Sequence, residues 1–259
     1  MQAALAILSG ALVGFSLGLI GGGGSILATP LLLYVVGVRN PHVAIGTGAL
    51  AVAVNAFANF AAHARSRTVR WRSAAIFAVV GVAGAAAGSS IGKAFNGKRL
   101  LFLFAILMIV VGVVMLRRRH DSATASDTER LTVGVVAKIA GAALLVGALS
   151  GFFGIGGGFL IVPGLIFATG MPMINAVGSS LLSVGSFGVT TAVNYAMSGL
   201  IAWVLAAEFI GGGVIGGLLG MRLALRLSGQ RGTLTRIFAG LIFVVAAYML
   251  YRNAAALGL

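Results

Sequence analysis

The sequence predicts an all-α, polytopic helical membrane protein made of two inverted repeats of about five helical elements each, with short broken or re-entrant helices. Of its 259 residues, 59% are hydrophobic and only 8% are charged, whereas a soluble domain carries about 25% charged residues. Several apolar runs approach or exceed the roughly 18–20 residues that a helix needs to cross the hydrocarbon core. The chain also repeats its pattern after a central polar linker.

The apolar runs form two sets of five. The first set lies at about 3–20, 26–38, 43–62, 74–95 and 100–116, and the second at about 133–153, 159–170, 174–196, 203–226 and 234–251. We therefore predict a first membrane repeat over 1–119, a polar cytoplasmic linker over 120–132 and a second membrane repeat over 133–259. The second run of each set is too short to cross a core of about 30 Å, because a helix rises only about 1.5 Å per residue.

The two halves align at an offset of 132 or 133 residues. The matching pairs include Pro30 with Pro163, Trp71 with Trp203, and Gly81, Gly84 and Gly88 with Gly213, Gly216 and Gly220. The loop after the third element holds four arginines at 65–72 in the first half and no basic residue at 198–202 in the second. Such unequal charge is typical of inverted repeats, because basic loops stay in the cytoplasm.

The net charge of +14 does not predict nucleic-acid binding, because the basic residues lie in the gaps between apolar runs. The expected partner is the lipid bilayer, and the expected location is the cell inner membrane with the central linker in the cytoplasm. A homodimer is left open. The chain has no Cys, and no His, Cys, Asp or Glu cluster has the spacing of metal ligands. We therefore expect no metal, no cofactor and no catalytic residues.

Each short element follows a glycine cluster and carries a proline. The clusters are Gly21–Ser25 before Pro30 and Gly154–Gly158 before Pro163. Consecutive glycines disfavour helix, and a break in a membrane helix is tolerated where it lines a cavity. The helices that are expected to start after Gly24 and Gly158 present free N–H groups to an anion. The predicted binding residues at the two breaks are Gly23, Gly24, Ser25, Gly157 and Gly158.

Other glycines have a simpler interpretation. Those at Gly81, Gly84 and Gly88, and those over Gly211–Gly217, favour close packing of helices through small residues.

Polar residues form a stripe on the third element of each half. Thr47, Asn55 and Asn59 share one helix face. Neutral hydrogen-bond donors suit an oxyanion that leaves water, but the same residues also suit hydrogen bonds between helices, and both interpretations stay open. The candidate binding residues on these elements are Thr47, Gly48, Asn55, Asn59, Ser179, Ser180 and Asn194.

The duplicated arrangement resembles the sulfite exporter TauE/SafE family. Its motif is a glycine-rich cluster followed by a proline and then by small residues, here Ala44–Gly48 in the first half and Ala176–Ser180 in the second. The resemblance covers nearly the whole chain and implies transport of sulfite, organosulfonates or related sulfur anions. The first copy departs from the second at Ser25 and Gly48. Inverted repeats with broken helices place their site near the midplane and work by alternating access.

Two ionisable residues have competing interpretations. His63, which ends the third element with Arg65, could attract anions at the cytoplasmic mouth, but an ordinary basic loop is favoured. Glu208 could carry protons, but an interfacial position is favoured. The sequence therefore predicts a transporter that is not an enzyme. The alternatives are a transporter or channel for another small anion and a membrane-embedded enzyme.

Overall fold

The structure is a computed structural model, and it describes residues 1–117, 132–154, 158–227, 240 and 243–251. Its helices are α1 (Gln2–Ile20), α2 (Ala28–Tyr34), α3 (Pro41–Arg65), α4 (Trp71–Ala94), α5 (Gly97–Arg117), α6 (Val133–Phe153), α7 (Gly158–Thr169), α8 (Met173–Ala196) and α9 (Trp203–Leu227). A 3-10 helix, Gly21–Leu27, joins α1 to α2, and a last helical stretch covers 243–251. All of the predicted linker except its final residue lies outside the described residues.

Six helices in the described part of the chain are long and apolar enough to cross a membrane, namely α1, α3, α4, α6, α8 and α9. Their outer faces carry large apolar side chains. Val79, Leu145 and Ile215 are 75%, 63% and 67% exposed. Such surface is unfavourable in water, at about 25 cal/mol per Å², and favourable in lipid. The predicted all-α polytopic membrane fold is confirmed.

The glycine cluster of the first half reverses the chain. Gln2 Nε2 at the start of α1 donates a hydrogen bond to the Val36 carbonyl oxygen, at 3.2 Å. The segment after α1 therefore returns to the end of the helix from which α1 began. The predicted short elements are present, since α2 has 7 residues and α7 has 12. The expected helix start directly after Gly24 is wrong, because 3-10 geometry continues to Leu27 and α2 begins at Ala28.

Helices α1, α3 and α9 pack together and run in the same direction; we call them the first bundle. The contacts between α1 and α9 recur in the same order along both helices, with Gly10 on Phe209, Gly14 on Gly213 and Gly18 on Gly217. At Gly10, Gly14 and Gly18 an added Cβ would overlap the backbone of α9. The absence of side chains lets the two backbones meet, as in other membrane helices.

Helices α4, α6 and α8 form the second bundle through equivalent contacts. Gly81 lies on Gly147, and Ala85 lies on Gly151. These pairs are the counterparts, at the repeat offset, of the Gly213–Gly14 and Gly217–Gly18 pairs of the first bundle. Each bundle therefore takes helices from both halves of the chain. The predicted packing role of these glycines is confirmed, except at the exposed Gly211, which has no atom within 4 Å of an added Cβ.

The two bundles meet along α3 and α8, which are equivalent helices. Tyr195 lies against Gly46, Ala53 against Gly188 and Phe57 against Gly185. Residue numbers rise on one helix as they fall on the other, so α3 and α8 are antiparallel.

Candidate functional site

The two glycine breaks meet inside the protein. Gly21, with a φ of 68°, ends α1, and Gly154, with a φ of 65°, ends α6; such positive φ values favour glycine. Gly22 and Gly158 lie in direct contact, and a Cβ on either would overlap the backbone of the other. The predicted binding residue Gly23 lies in the 3-10 helix. Gly157 lies outside the described residues.

Hydroxyl side chains satisfy the backbone of the first break. Ser180 Oγ accepts a hydrogen bond from the Gly22 N–H at 3.1 Å and donates one to the Val177 carbonyl at 2.8 Å. Ser25 Oγ donates to the Gly22 carbonyl at 2.8 Å. Both serines are fully buried. The break is therefore stable in an apolar interior, because an unpartnered backbone group there would cost several kcal/mol, about the loss of a hydrogen bond in lipid.

The neighbouring predicted residue, Gly24, is packed as tightly as Gly22. A Cβ on Gly24 would overlap the backbone of α1 at Ser16 and Leu17. Gly48, on α3, is buried but has more room, with an added Cβ 3.4 Å from Leu32 Cδ1.

Thr47 and Ser179 hold the loops that precede α9 and α4. Thr47 Oγ1 accepts a hydrogen bond from the Ala202 N–H at 2.9 Å, and Ser179 Oγ accepts one from the Arg70 N–H at 2.8 Å. The two bonds are equivalents at the repeat offset. A hydroxyl that accepts one bond keeps its own hydrogen for another oxygen, so each side chain can still donate to an anion.

Asn55 and Asn59 lie in the first bundle, against Gly213 and Gly217 of α9. Both side chains are buried. Asn59 Nδ2 donates to the Asn55 carbonyl at 2.8 Å. Within the described part of the chain, both amide atoms of Asn55 and the Oδ1 of Asn59 have no hydrogen-bond partner.

Further buried polar atoms without a partner among the described residues belong to Thr29, Ser150, Ser183, Thr191 and Tyr195. Each such group costs about 1–3 kcal/mol. The interior therefore offers several polar groups that a bound anion or water would satisfy.

Asn194 lies apart from the polar residues around the two breaks. It lies 14 residues beyond Ser180 on α8, roughly 21 Å along the helix at about 1.5 Å per residue. Its Nδ2 donates to Ser89 Oγ at 2.7 Å, and Lys93 Nζ donates to its carbonyl at 3.0 Å. The structure thus separates Asn194 from the two breaks and places it in a polar cluster near the end of α8.

His63 is a residue whose position the sequence analysis misjudged. The favoured interpretation as part of a basic loop is wrong for this side chain, which is fully buried and bonded to Thr68 and Gly18. Its spacing of four residues from Asn59, and of eight from Asn55, could have placed it on the same helix face. Arg65, two residues later, is exposed.

The remaining question is whether metal-binding side chains come together within the described ranges. No set of three or more His, Cys, Asp or Glu could hold a metal ion there. Glu208 is half-buried, and its Oε2 has no partner in the part of the chain that the structure describes.

These features define a polytopic membrane protein of the transporter class, with membrane-length helices in two equivalent bundles and two helix breaks that meet between them. A family model described as "Sulfite exporter TauE/SafE" matches residues 6–249. The chain belongs to this TauE/SafE family, and it is a membrane transporter.

Two relatives agree with this assignment. A "probable membrane transporter protein" of Xylella fastidiosa (strain Temecula1) is 59% identical over 249 residues, which cover 96% of this chain and 95% of that one. "Probable membrane transporter protein YunE" of Bacillus subtilis (strain 168) is 27% identical over 275 residues, with 98% and 99% covered. No match to a solved structure was found.

Proposed function

We propose that this transporter moves small sulfur-containing oxyanions, such as sulfite or an organosulfonate, across the cell inner membrane. The observation that carries the proposal is the contact between Gly22 and Gly158, where two helix breaks meet beside buried hydroxyl side chains. The family assignment supports the class of substrate. The site needs no metal and no cofactor in this account.

The substrate is held by neutral groups. Among the described residues, no lysine or arginine side chain is buried. The donors available are the hydroxyls of Thr47 and Ser179 and the N–H groups at the start of α7, a helix end that carries roughly half a positive charge. Such a site favours a monoanion over sulfate, because a doubly charged ion loses more hydration energy on entering it.

A sulfonate also fits better than a carboxylate of similar length. Its three oxygens accept more hydrogen bonds than the two of a carboxylate, and bonds to an anion are roughly twice as strong as neutral ones. The hydroxyl-rich surroundings of the breaks therefore support selectivity for a tetrahedral sulfur group.

We further propose that the halves are inverted repeats and that the first and second bundles rock against each other along α3 and α8 to give alternating access. The support is twofold. Equivalent glycine pairs join α1 to α9 and α6 to α4, and the equivalent helices α3 and α8 run antiparallel. In this arrangement the basic 65–72 loop and the central linker lie in the cytoplasm.

A thermal-shift series with the purified protein tests the proposed substrate class. The ligands are sulfite, a short sulfonate, the carboxylate of matched length and sulfate, each at fixed pH with and without a chelator. A ligand that binds only the folded protein raises its stability by RT ln(1 + [L]/Kd), so we expect the largest shift with sulfite or the sulfonate. A larger shift with sulfate, or loss of the shift on chelation, means that the site is built differently.

A further inference from the structure

His63 has a hydrogen-bond partner on each ring nitrogen. Its Nδ1 lies 2.9 Å from Thr68 Oγ1, and its Nε2 lies 3.2 Å from the Gly18 carbonyl oxygen. The Thr68 hydroxyl also lies 3.0 Å from the His63 carbonyl oxygen. His63 is 0% exposed and Thr68 is 8% exposed. His63 and Thr68 are therefore a buried pair whose hydrogen bonds are made inside the protein.

This geometry gives both ring nitrogens a hydrogen-bond partner in the neutral and in the protonated imidazole. A carbonyl oxygen only accepts, so Nε2 carries a hydrogen in both states. When the ring is neutral, Thr68 donates its hydroxyl hydrogen to Nδ1. When Nδ1 is protonated, it donates to Thr68 Oγ1, and the hydroxyl hydrogen turns to the His63 carbonyl. Rotation of one hydroxyl thus avoids the penalty of about 1–3 kcal/mol for a buried group without a partner.

The pair joins the two bundles. His63 and Gly18 belong to the first bundle, whereas Thr68 is fixed by α8 of the second. Asn175 Nδ2 donates to the Thr68 carbonyl at 3.0 Å, and a Cβ on Gly178 would lie only 2.7 Å from Thr68 Oγ1. Thr68 is also held to His63 by its backbone N–H, which donates to the His63 carbonyl oxygen at 3.2 Å. Movement between the bundles therefore breaks either the bonds of Thr68 to His63 or its contacts with α8.

The charges near His63 are positive. Helix α1 contributes none within Gln2–Ile20, and the first turns of α8 contribute none. The described charged residues nearest to it on the other packed segments are Arg65 at the end of α3, Arg67 and Arg70 on the loop that follows, and Arg222 of α9. Arg222 is next to Met221, whose backbone N faces Gly18. Glu208 lies 13 residues before Met221 on α9, roughly 20 Å away along the helix at about 1.5 Å per residue.

A proton on His63 therefore adds a positive charge to a positive region. An anion bound nearby offsets this repulsion, so the anion and the proton each favour the binding of the other.

We propose that His63, with Thr68 as its partner, is the proton-coupling residue of this transporter. One proton binds Nδ1 from one side of the membrane, travels with a monoanion and leaves on the other side. The step is electroneutral and forms no covalent bond. This inference rests on the proposed function, and it adds the coupling ion and the group that carries it.

Proteoliposomes test the coupling directly. With an imposed pH gradient and a pH-sensitive dye inside, we expect the wild type to accumulate a sulfonate and to move about one proton per anion, the stoichiometry that pairs one imidazole with one monoanion. We expect His63→Gln to keep anion exchange at equal pH. Its gradient-driven accumulation of the sulfonate is expected to fall at least tenfold. His42→Gln is the matched control, because this histidine lies at the other end of α3, and it keeps the coupling.

The transport results distinguish failure of the proton-coupling inference from failure of the proposed function. If the wild type moves the sulfonate equally with and without the gradient and moves no protons, the inference is wrong while the proposed function stands. If no sulfur anion moves, the proposed function fails, and the proton-binding test below decides whether His63 still takes up and releases a proton.

Proton binding by His63 is measured without transport. The chain has three histidines, so ¹⁵N ring signals in lipid nanodiscs are assigned with the two glutamine variants. We expect the His63 ring to convert reversibly between the neutral and the doubly protonated form across the pH range in which the protein stays folded. Thr68→Val, which keeps the shape and removes the hydroxyl, is expected to shift that conversion. A ring that stays in one state throughout overturns the proposal, even if the His63→Gln protein does not fold.

Discussion

At the scale of single residues, the buried hydroxyls serve the backbone of the protein as well as any substrate. Thr47 and Ser179 each accept a hydrogen bond from a backbone N–H in the loop before α9 or α4. Thr47→Ala and Ser179→Ala each leave that N–H without its partner, and we expect each to lower the free energy of unfolding by about 1–3 kcal/mol. Denaturation in detergent measures this loss.

The same two variants also test substrate binding. We expect anion affinity to fall in addition, because the hydroxyl hydrogen is lost with the oxygen. Thr190→Ala is the control, since Thr190 Oγ1 donates to the Ser186 carbonyl of its own helix, at 2.8 Å, and has no other partner among the described residues. This variant is expected to change neither quantity measurably. Unchanged affinity in stable Thr47→Ala protein removes Thr47 from the binding site.

The contact between the breaks gives a second prediction at this scale. In Gly22→Ala the new methyl group meets the Gly158 backbone, so we expect a loss of about 1–3 kcal/mol in folding free energy from overpacking and a loss of transport. Gly141→Ala on α6 is the control, because a Cβ there would meet no atom of the described residues within 4 Å. Equal stability and equal flux in the two variants are incompatible with the observed contact.

Much of the site could be predicted at the residue scale, but its contacts could not. Runs of glycine disfavour helix, and this local property located Gly21 and Gly154 as helix ends. The bond from the Gly22 N–H to Ser180 joins residues 158 positions apart, and no local pattern contains that information. The position of His63 was predicted wrongly because the four arginines at 65–72 gave the whole segment the pattern of a basic loop. Its spacing from Asn55 and Asn59 instead places it on the buried face of α3.

At the scale of elements, the helix face on which each glycine lies decides how the helices pack. On α9, a Cβ added at Gly212 would overlap the backbone of Ile7, whereas one added at the adjacent Gly211 would meet no atom of the described residues within 4 Å. We expect Gly212→Ala to cost about 1–3 kcal/mol from overpacking. Gly211→Ala is expected to be neutral or to stabilise by up to about 1 kcal/mol, because alanine favours helix over glycine. Melting temperatures of the two purified variants make the comparison, and a destabilising Gly211→Ala contradicts the packing described.

Element types were more predictable than element boundaries. The short apolar run after each glycine cluster correctly predicted a helix too short to cross the bilayer. The start of α2 was misplaced because glycine-rich sequence can continue as 3-10 helix, which keeps backbone hydrogen bonds at a tighter pitch. Sequence alone does not distinguish that continuation from a free helix N-terminus.

At the scale of the whole molecule, the account requires the two halves to have opposite orientations. Ser66 and Ser198 are equivalent positions at the repeat offset, and the chain has no natural Cys. We expect Ser66→Cys to react with a membrane-impermeant thiol reagent only from the cytoplasmic side and Ser198→Cys only from the opposite side. Labelling of both from one side contradicts the inverted-repeat proposal. The unequal charge of equivalent loops predicts this orientation, whereas the exchange of helices between the bundles could be seen only in the structure.

The central claim is that the protein transports small sulfur anions through the joint between its bundles. Counterflow in proteoliposomes tests it most directly: vesicles loaded with unlabelled sulfite or sulfonate are placed in a trace of the labelled anion, with empty vesicles and Gly22→Ala vesicles as controls. We expect transient accumulation of the labelled anion when the vesicles hold sulfite or the sulfonate. Vesicles that hold sulfate or the matched carboxylate are expected to accumulate at least tenfold less, a difference of about 1.4 kcal/mol in binding. Accumulation driven equally by sulfate or the carboxylate, or none with either sulfur anion, contradicts the account.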